Sequence, residues 1–328
     1  MSPTTAISPT AAPAAPLMVL KIDVDTYRGT REGVPNLVRL LQQQHALATF
    51  LFSLGPDHTG WAMKRVFRPG FFSKVSRTSV VEHYGIKTLL YGTLLPGPDI
   101  GLRCTEEMRA VARSGFECGI HTWDHVLWHD SVRTRDAAWT ARQMQQAAQR
   151  FAQIFGRAPA THGAAGWQMN PYAFAQLDQL GIGYASDGRA SLDERGALCK
   201  RDDGPYRLAA KDGSAHHCIQ MPTTLPTLDE ILGREIDGMV LTPANVASHL
   251  LKLTQENRRD HVYTLHAELE GQKLSAVLVE LIDGWQAQGY RCVSMGEYAK
   301  TLDPASLPLT ALQWGEVPGR SGELVLAG

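Results

Sequence analysis

The sequence has almost no net charge, no closely spaced cysteine pair and no long apolar run. Lysine and arginine total 32 against 33 aspartates and glutamates, a formal balance of -1. No global field therefore recruits nucleic acid or an anionic surface, and any such attraction has to be local. The five cysteines, Cys104, Cys118, Cys199, Cys218 and Cys292, are odd in number, widely spaced and form no C-x-x-C pair. That pattern argues against a disulfide framework or a zinc knuckle and favours a reducing compartment. No stretch reaches the roughly eighteen uninterrupted apolar residues of a membrane span. No G-x-G-x-x-G follows the first apolar run, which argues against a dinucleotide site. Residues 1–16, dominated by proline, alanine and threonine, lack the basic start and apolar centre of a signal peptide and read as a flexible leader. The expectation is a cytosolic protein that can still lie on a membrane.

What the chain has is repetition. Its 328 residues, 44% of them hydrophobic, suit one barrel-sized domain. Short apolar runs near 17–23, 47–54, 116–120, 158–162, 183–186, 217–221, 261–266 and 290–294 alternate with helical patterns, which is βα repetition. Asn170 before Pro171 and Thr242 before Pro243 mark helix starts; residues 134–155 and 273–288 read as long helices, the second stopped by Gly289. Such units most simply close into an α/β barrel over residues 17–300, with 301–328 as a tail; an open doubly wound sheet is the alternative.

Residues 61–101 interrupt the repetition and are too long for an ordinary connection. Between Trp61 and Arg77 the segment carries Lys64, Arg65, Arg68, Lys74 and Arg77 with no acid, interleaved with Trp61, Phe67, Phe71 and Phe72. The mixture suits a surface resting on anionic lipid headgroups, or equally a basic helix packing its aromatics on the barrel.

Acid-base residues gather at the ends of the apolar runs. Asp23 and Asp25 end the first, His121-Thr-Trp-Asp-His125 another, Ser186-Asp187-Gly-Arg189 a third and His266 a fourth. In a barrel these ends share one rim. His121 and His125, four apart, reach one ion if they share a helical turn, and with a carboxylate they can hold zinc, cobalt, nickel or manganese. Asp23 and Asp25 face the same side of a strand, so either can be ligand or general base; we take Asp25 as ligand and Asp23 as base. His266 can complete the metal sphere or act as general acid, and the acid role is preferred. Asp187 and Arg189 form either a surface ion pair or a buried orienting pair. Gly163-Ala-Ala-Gly-Trp167 is a turn that can offer backbone N–H groups to an oxyanion, with Trp167 walling a sugar ring. Arg28 and Arg31 lie just past the first strand, where they could meet a phosphate or form surface ion pairs.

His121, Thr122 and His125 match the H-[S/T]-x-x-H motif, and the whole set resembles the polysaccharide deacetylase (NodB-homology) family of metal-dependent carbohydrate amidases. The runs beginning at Lys21, Ser53, Ala164, Gln220 and Val262, and the tail motif Val317-Pro-Gly-Arg320, are similar to the family's deformylase branch. That resemblance implies a distorted (β/α) barrel. It also implies removal of a formyl group from an aminosugar carried on undecaprenyl phosphate at the cytoplasmic face of a bacterial inner membrane, in the lipid A modification that resists cationic antimicrobial peptides. By motif position it implies Asp23 as base, Asp25, His121 and His125 as ligands of one divalent ion, and His266 as acid. The family's first motif usually has adjacent aspartates, whereas Val24 intervenes here, and Thr161-His162-Gly163 supplies neither the arginine nor the proline of its third. The partner of Asp187 is left open, with Arg189 a candidate. The rival readings are a hydrolase of soluble N-acetylated sugars, a metal-free carbohydrate-binding barrel and a metal-dependent phosphoesterase.

Overall fold

The computed structural model describes residues 15–62, 86–200 and 203–327. The basic and aromatic residues from Lys64 to Arg77, and residues 1–14 of the leader, lie outside the described residues.

Strands form at each of the anticipated apolar runs: β1 (Leu17–Val24), β2 (Thr49–Ser53), β3 (Glu117–Thr122), β4 (Thr161–His162), β5 (Tyr184–Ala185), then, after β6 (Tyr206–Ala209), β7 (Ala215–Gln220). A small hairpin follows, β8 (Glu235–Ile236) with β9 (Met239–Val240), then β10 (His261–His266) and β11 (Arg291–Val293). The last strands are β12 (Leu309–Thr310), β13 (Gln313–Glu316) and β14 (Glu323–Leu326). Ten of these make one sheet in the order β10-β1-β2-β3-β4-β5-β7-β6-β12, with β11 on β1. Its pairings are parallel except β6 with β7.

Alternation along β1 sorts its side chains to two environments. Met18, Leu20, Ile22 and Val24 pack outward with Phe50 and Phe52 of β2 against the helices, among them Leu37, Leu41, Phe151, Leu278 and Leu281. Leu17 and Val19 point the other way, into a cluster with Leu51, Ile219, Met221, Val262 and Val293. Because β7 and β1 lie far apart in the strand order yet share this cluster, the inner face of the sheet turns back on itself. The turn is completed after β7, where the N–H of Thr224 reaches the carbonyl of Val262 on β10 at 2.9 Å. The barrel is thus distorted: its ladder does not run unbroken around the ring.

Local chemistry sets the helix ends, and three differ from the sequence pattern. The long helix Ala137–Phe155 begins after Asp136, whose carboxylate accepts the Trp139 N–H, rather than at 134, because Val132–Thr134 forms its own tight turn; Gly156 ends it at φ 68°. Asn170 caps Pro171–Gln179 as its sequence suggests. Thr242 and Pro243 do not start a helix. Asn245 accepts the Thr242 N–H, folding those residues into a turn, and the helix is Val246–Glu256. The last long helix is Ser275–Ala287 rather than 273–288. After Asp25 the chain makes a five-residue π-turn, Gly29–Gly33, before the helix Val34–Gln43.

The tail does not stand apart. Its hairpin β13–β14 bonds back onto Arg189, whose N–H donates to Val325 O at 2.8 Å. Among the described residues no helix is long and apolar enough to cross a membrane.

Candidate metal centre and its surroundings

Asp23 and Asp25 continue the inward side of β1. The Asp23 carboxylate lies 3.2 Å from Nζ of Lys21, whose side chain is fully buried, and 3.7 Å from Nδ1 of His121. The backbone N–H groups of Asp25 and Thr26 and the Thr26 hydroxyl all donate to Oε1 of Glu268, at 3.2, 2.9 and 2.7 Å. Burial first, and then the neighbouring Asp25, push the Glu268 carboxyl up to about 8.

His121 and His125 do not share a helical turn. His121 is on β3, and His125 is the first residue of the helix His125–Ser131, capped by Asp124. The chain reversal between them brings the rings to 5.2 Å. Nε2 of His121 lies 3.2 Å from Oδ1 of Asp25 and Nε2 of His125 lies 3.5 Å from Oδ2. One ligand atom from each of these residues falls within 4.8 Å of the others. Nδ1 of His121 is 2.6 Å from the Gly163 carbonyl, an acceptor only, so Nδ1 donates there and Nε2 is the nitrogen turned toward Asp25. Oδ1 of Asp25 is buried without a hydrogen-bond partner. Burial opposes its charge, but His125, His121 and His266 outweigh that and hold the Asp25 carboxyl far below the usual range. A buried, ionised carboxylate with two imidazole nitrogens turned toward it is a donor set that fits a divalent cation.

His266 ends β10 directly beside Asp23, its register partner across the parallel ladder. Its Nδ1 faces Oδ1 of Asp229 at 3.9 Å. Desolvation works to lower the pKa of His266; Asp229, Asp25, Asp23 and Glu270 overcome it and raise it.

The partner of Asp187 is His162, at 2.6 Å. Asp187 also accepts the Ala164 N–H at 2.8 Å and the Gln220 amide at 3.2 Å. It therefore braces the turn whose carbonyl orients His121. Arg189 is not its partner: the Arg189 guanidinium grips Glu230 in a fully buried pair. Trp167 is 2% exposed, with Arg189, Arg320 and Lys21 over its ring at 4.5, 4.8 and 5.0 Å, so it presents no face to a sugar. In the same turn the N–H groups of Gly163, Ala164 and Trp167 are committed to Ile120, Asp187 and Ala164. Arg28 pairs with Glu32 at 2.8 Å and Arg31 with Glu107 at 3.1 Å, the surface-pair alternative for both.

From the sequence no role is assigned to Lys21, His162, Asp229, Glu268 or Arg320, although His162 and Arg320 stand in motifs named above. Lys21 had a signal, since it stands two before Asp23 on the same side of a strand. The others pair with residues remote in the chain, and no spacing announces such contacts.

The chain is similar to known proteins along most of its length. The sequence model of the polysaccharide deacetylase family matches residues 14–185. A Shewanella sediminis (strain HAW-EB3) protein named probable 4-deoxy-4-formamido-L-arabinose-phosphoundecaprenol deformylase ArnD is 32% identical over 306 residues, covering 93% of this chain and 92% of its own. A protein of the same name from Wigglesworthia glossinidia brevipalpis is 28% identical, covering 90% and 96%. A crystal structure from Mycobacterium smegmatis, assigned to the polysaccharide deacetylases, shares the fold with a TM-score of 0.62 at 18% identity, covering 95% of this chain and 99% of its own. With a distorted α/β barrel, an Asp-His-His cluster at its rim and a relative matched along nearly its whole length, the chain belongs to the polysaccharide deacetylase family and is a hydrolase of amide bonds.

Proposed function

We propose that the protein is a metal-dependent deformylase that converts undecaprenyl-phosphate-linked 4-deoxy-4-formamido-L-arabinose to the free amine and formate, serving lipid A modification and resistance to cationic antimicrobial peptides. The observation that carries the reading is the convergence of Asp23, Asp25, His121, His125 and His266 on one rim in a chain whose full-length relatives bear the deformylase name.

Asp25, His121 and His125 would hold the ion, whether zinc, cobalt, nickel or manganese. When bound, it supplies Lewis acidity toward the formyl oxygen and lowers the pKa of a coordinated water. The chain's own residues do the rest. Asp23, kept beside Lys21, takes the proton of the attacking water. His266, on the neighbouring strand, protonates the departing nitrogen as the C–N bond breaks. Asp187 and His162 brace the turn that fixes the His121 tautomer. Peripheral contact with an anionic membrane, through the basic and aromatic residues between Trp61 and Arg77, would bring the rim to a lipid-borne substrate at the cytoplasmic face of the inner membrane.

The experiment is formate release from formamido-arabinose on a short polyprenyl phosphate, with and without chelator. Formate that depends on metal supports the proposal. Acetate release from an N-acetyl sugar with no action on the formamide would replace it with a general deacetylase.

A further inference from the structure

The short helix Leu228–Ile231 carries two adjacent carboxylates, Asp229 and Glu230, and is closed by a capping box between Thr227 and Glu230. Glu230 is held twice over, by that box and by buried Arg189. Asp229 has weaker moorings: the Thr227 hydroxyl donates to its Oδ1 at 2.6 Å, and its side chain is 31% exposed. What fixes it comes from the far end of the chain. Arg320 sets Nη1 3.0 Å from Oδ2 of Asp229 and Nη2 3.2 Å from Oδ1, while its Nε donates to Glu230 at 2.7 Å. A fork of this kind fixes orientation as well as charge.

The approach is built into the tail. Arg320 closes a turn on Val317, with an N–H to O distance of 3.0 Å. Gly319, at φ +91°, lets that turn lie against the helix: a Cβ there would stand 2.4 Å from the Glu230 carbonyl. Arg320 and Arg189 both lie over Trp167, so the indole supports both guanidiniums. Two cations and two carboxylates balance, and the Asp229 oxygen in this quartet faces Nδ1 of His266, a buried nitrogen that has no hydrogen-bond partner.

We propose that Arg320, delivered by the carboxyl-terminal tail, is a positioning residue for the proton donor: it holds Asp229 opposite Nδ1 of His266, so that Nε2 is presented to the departing nitrogen. The inference rests on the role of His266 proposed above. It makes the tail part of the acid side of the site, although the tail lies beyond the residues matched by the family's sequence model. Without Arg320, Asp229 keeps the Thr227 hydroxyl and its own backbone N–H but loses the fork that fixes its orientation.

The test uses the full chain with R320A, R320K, D229N and the double variant R320A/D229N, assayed for formate release and followed by nitrogen-15 NMR of the histidine side chains, with H266Q assigning the His266 signals. Expected are a kcat lower by about tenfold to a hundredfold in R320A, KM within about twofold, a smaller loss in R320K, and partial recovery of R320A with millimolar guanidinium. The His266 signals should move alike in R320A and D229N, and the double variant should lose no more than D229N alone. Undisturbed His266 signals in R320A, or a wild-type kcat with only a lowered melting temperature, would reduce Arg320 to a clasp for the tail and overturn the proposal. Should R320A fail to fold, R320K decides by the same readings. If the wild-type protein releases no formate, the functional reading fails by itself, and the NMR comparison still decides whether Arg320 governs His266.

Discussion

The Gly163 carbonyl and Nδ1 of His121, 2.6 Å apart, decide which nitrogen of that histidine is available to a metal. The carbonyl is held in place by Asp187, through the Ala164 N–H and His162. Asp187→Ala leaves those donors unpaired in a buried site, and we expect a loss of about 3 kcal/mol in stability together with a tenfold to hundredfold loss in metal affinity. Urea titration and metal titration of the same preparation check both.

The two aspartates of the first strand should separate cleanly. Asp23→Asn keeps bound metal and loses on the order of a hundredfold or more in turnover, whereas Asp25→Ala loses the metal itself. Metal analysis beside formate release is the measurement. Loss of metal on changing Asp23 would exchange their roles.

Glu270 links stability to pH. It is fully buried, accepts from the Tyr263 hydroxyl at 3.2 Å and from the backbone N–H of His266 at 2.9 Å, and desolvation raises its pKa from 4.5 to about 7. A raised carboxyl pKa means that the folded state binds the proton more tightly than the unfolded state. Its contribution is therefore fully present below about 4.5 and is lost as pH rises through about 7. Glu270→Gln should remove on the order of 3 kcal/mol of pH dependence between those limits. Denaturation of both proteins at pH 5 and pH 8 tests the slope; parallel curves would dismiss the effect.

Gly29 opens the π-turn that follows Asp25. A Cβ there would lie 1.9 Å from Oε1 of Glu268, the atom that receives the N–H groups of Asp25 and Thr26. Gly29→Ala is expected to cost about 1–3 kcal/mol by overpacking and to weaken metal binding, since the displaced carboxylate is what anchors the Asp25 backbone. Calorimetry with and without metal would show whether the loss is larger in the loaded protein.

Membrane docking is tested apart from catalysis. Replacing Lys64, Arg65, Arg68 and Lys74 by Glu should weaken sedimentation with anionic liposomes and leave metal content unchanged. Equal sedimentation of variant and wild type would discard that role for the segment.

Much of this architecture was legible because apolar alternation repeats so regularly from Leu17 onward, and the strands at the anticipated positions bring Asp23, Asp25, His121 and His266 to one rim. The signal faded wherever the deciding interaction spans the chain. Arg189 looks like a neighbour for Asp187 in sequence, but the side chain is captured by Glu230, and Asp187 turns to His162. Trp167 resembles an exposed platform until three cations are seen to cover it. β6 and the β13–β14 hairpin lie outside the βα alternation, and Arg320 reaches the site only because that hairpin folds back on Arg189.

The ladder between β1 and β10 runs in register from Met18 with His261 to Asp23 with His266. The proposed proton acceptor, Asp23, and proton donor, His266, are thereby locked to a shared ruler whose unit is one pleat. Deleting a single residue upstream in either strand would turn that strand's functional group toward the helices, while the removal of two would restore its facing but shift it by a full step against its counterpart. Length changes in these strands are consequently a more severe way to abolish turnover than most substitutions at the rim, and redesign of the site is better attempted in the loops.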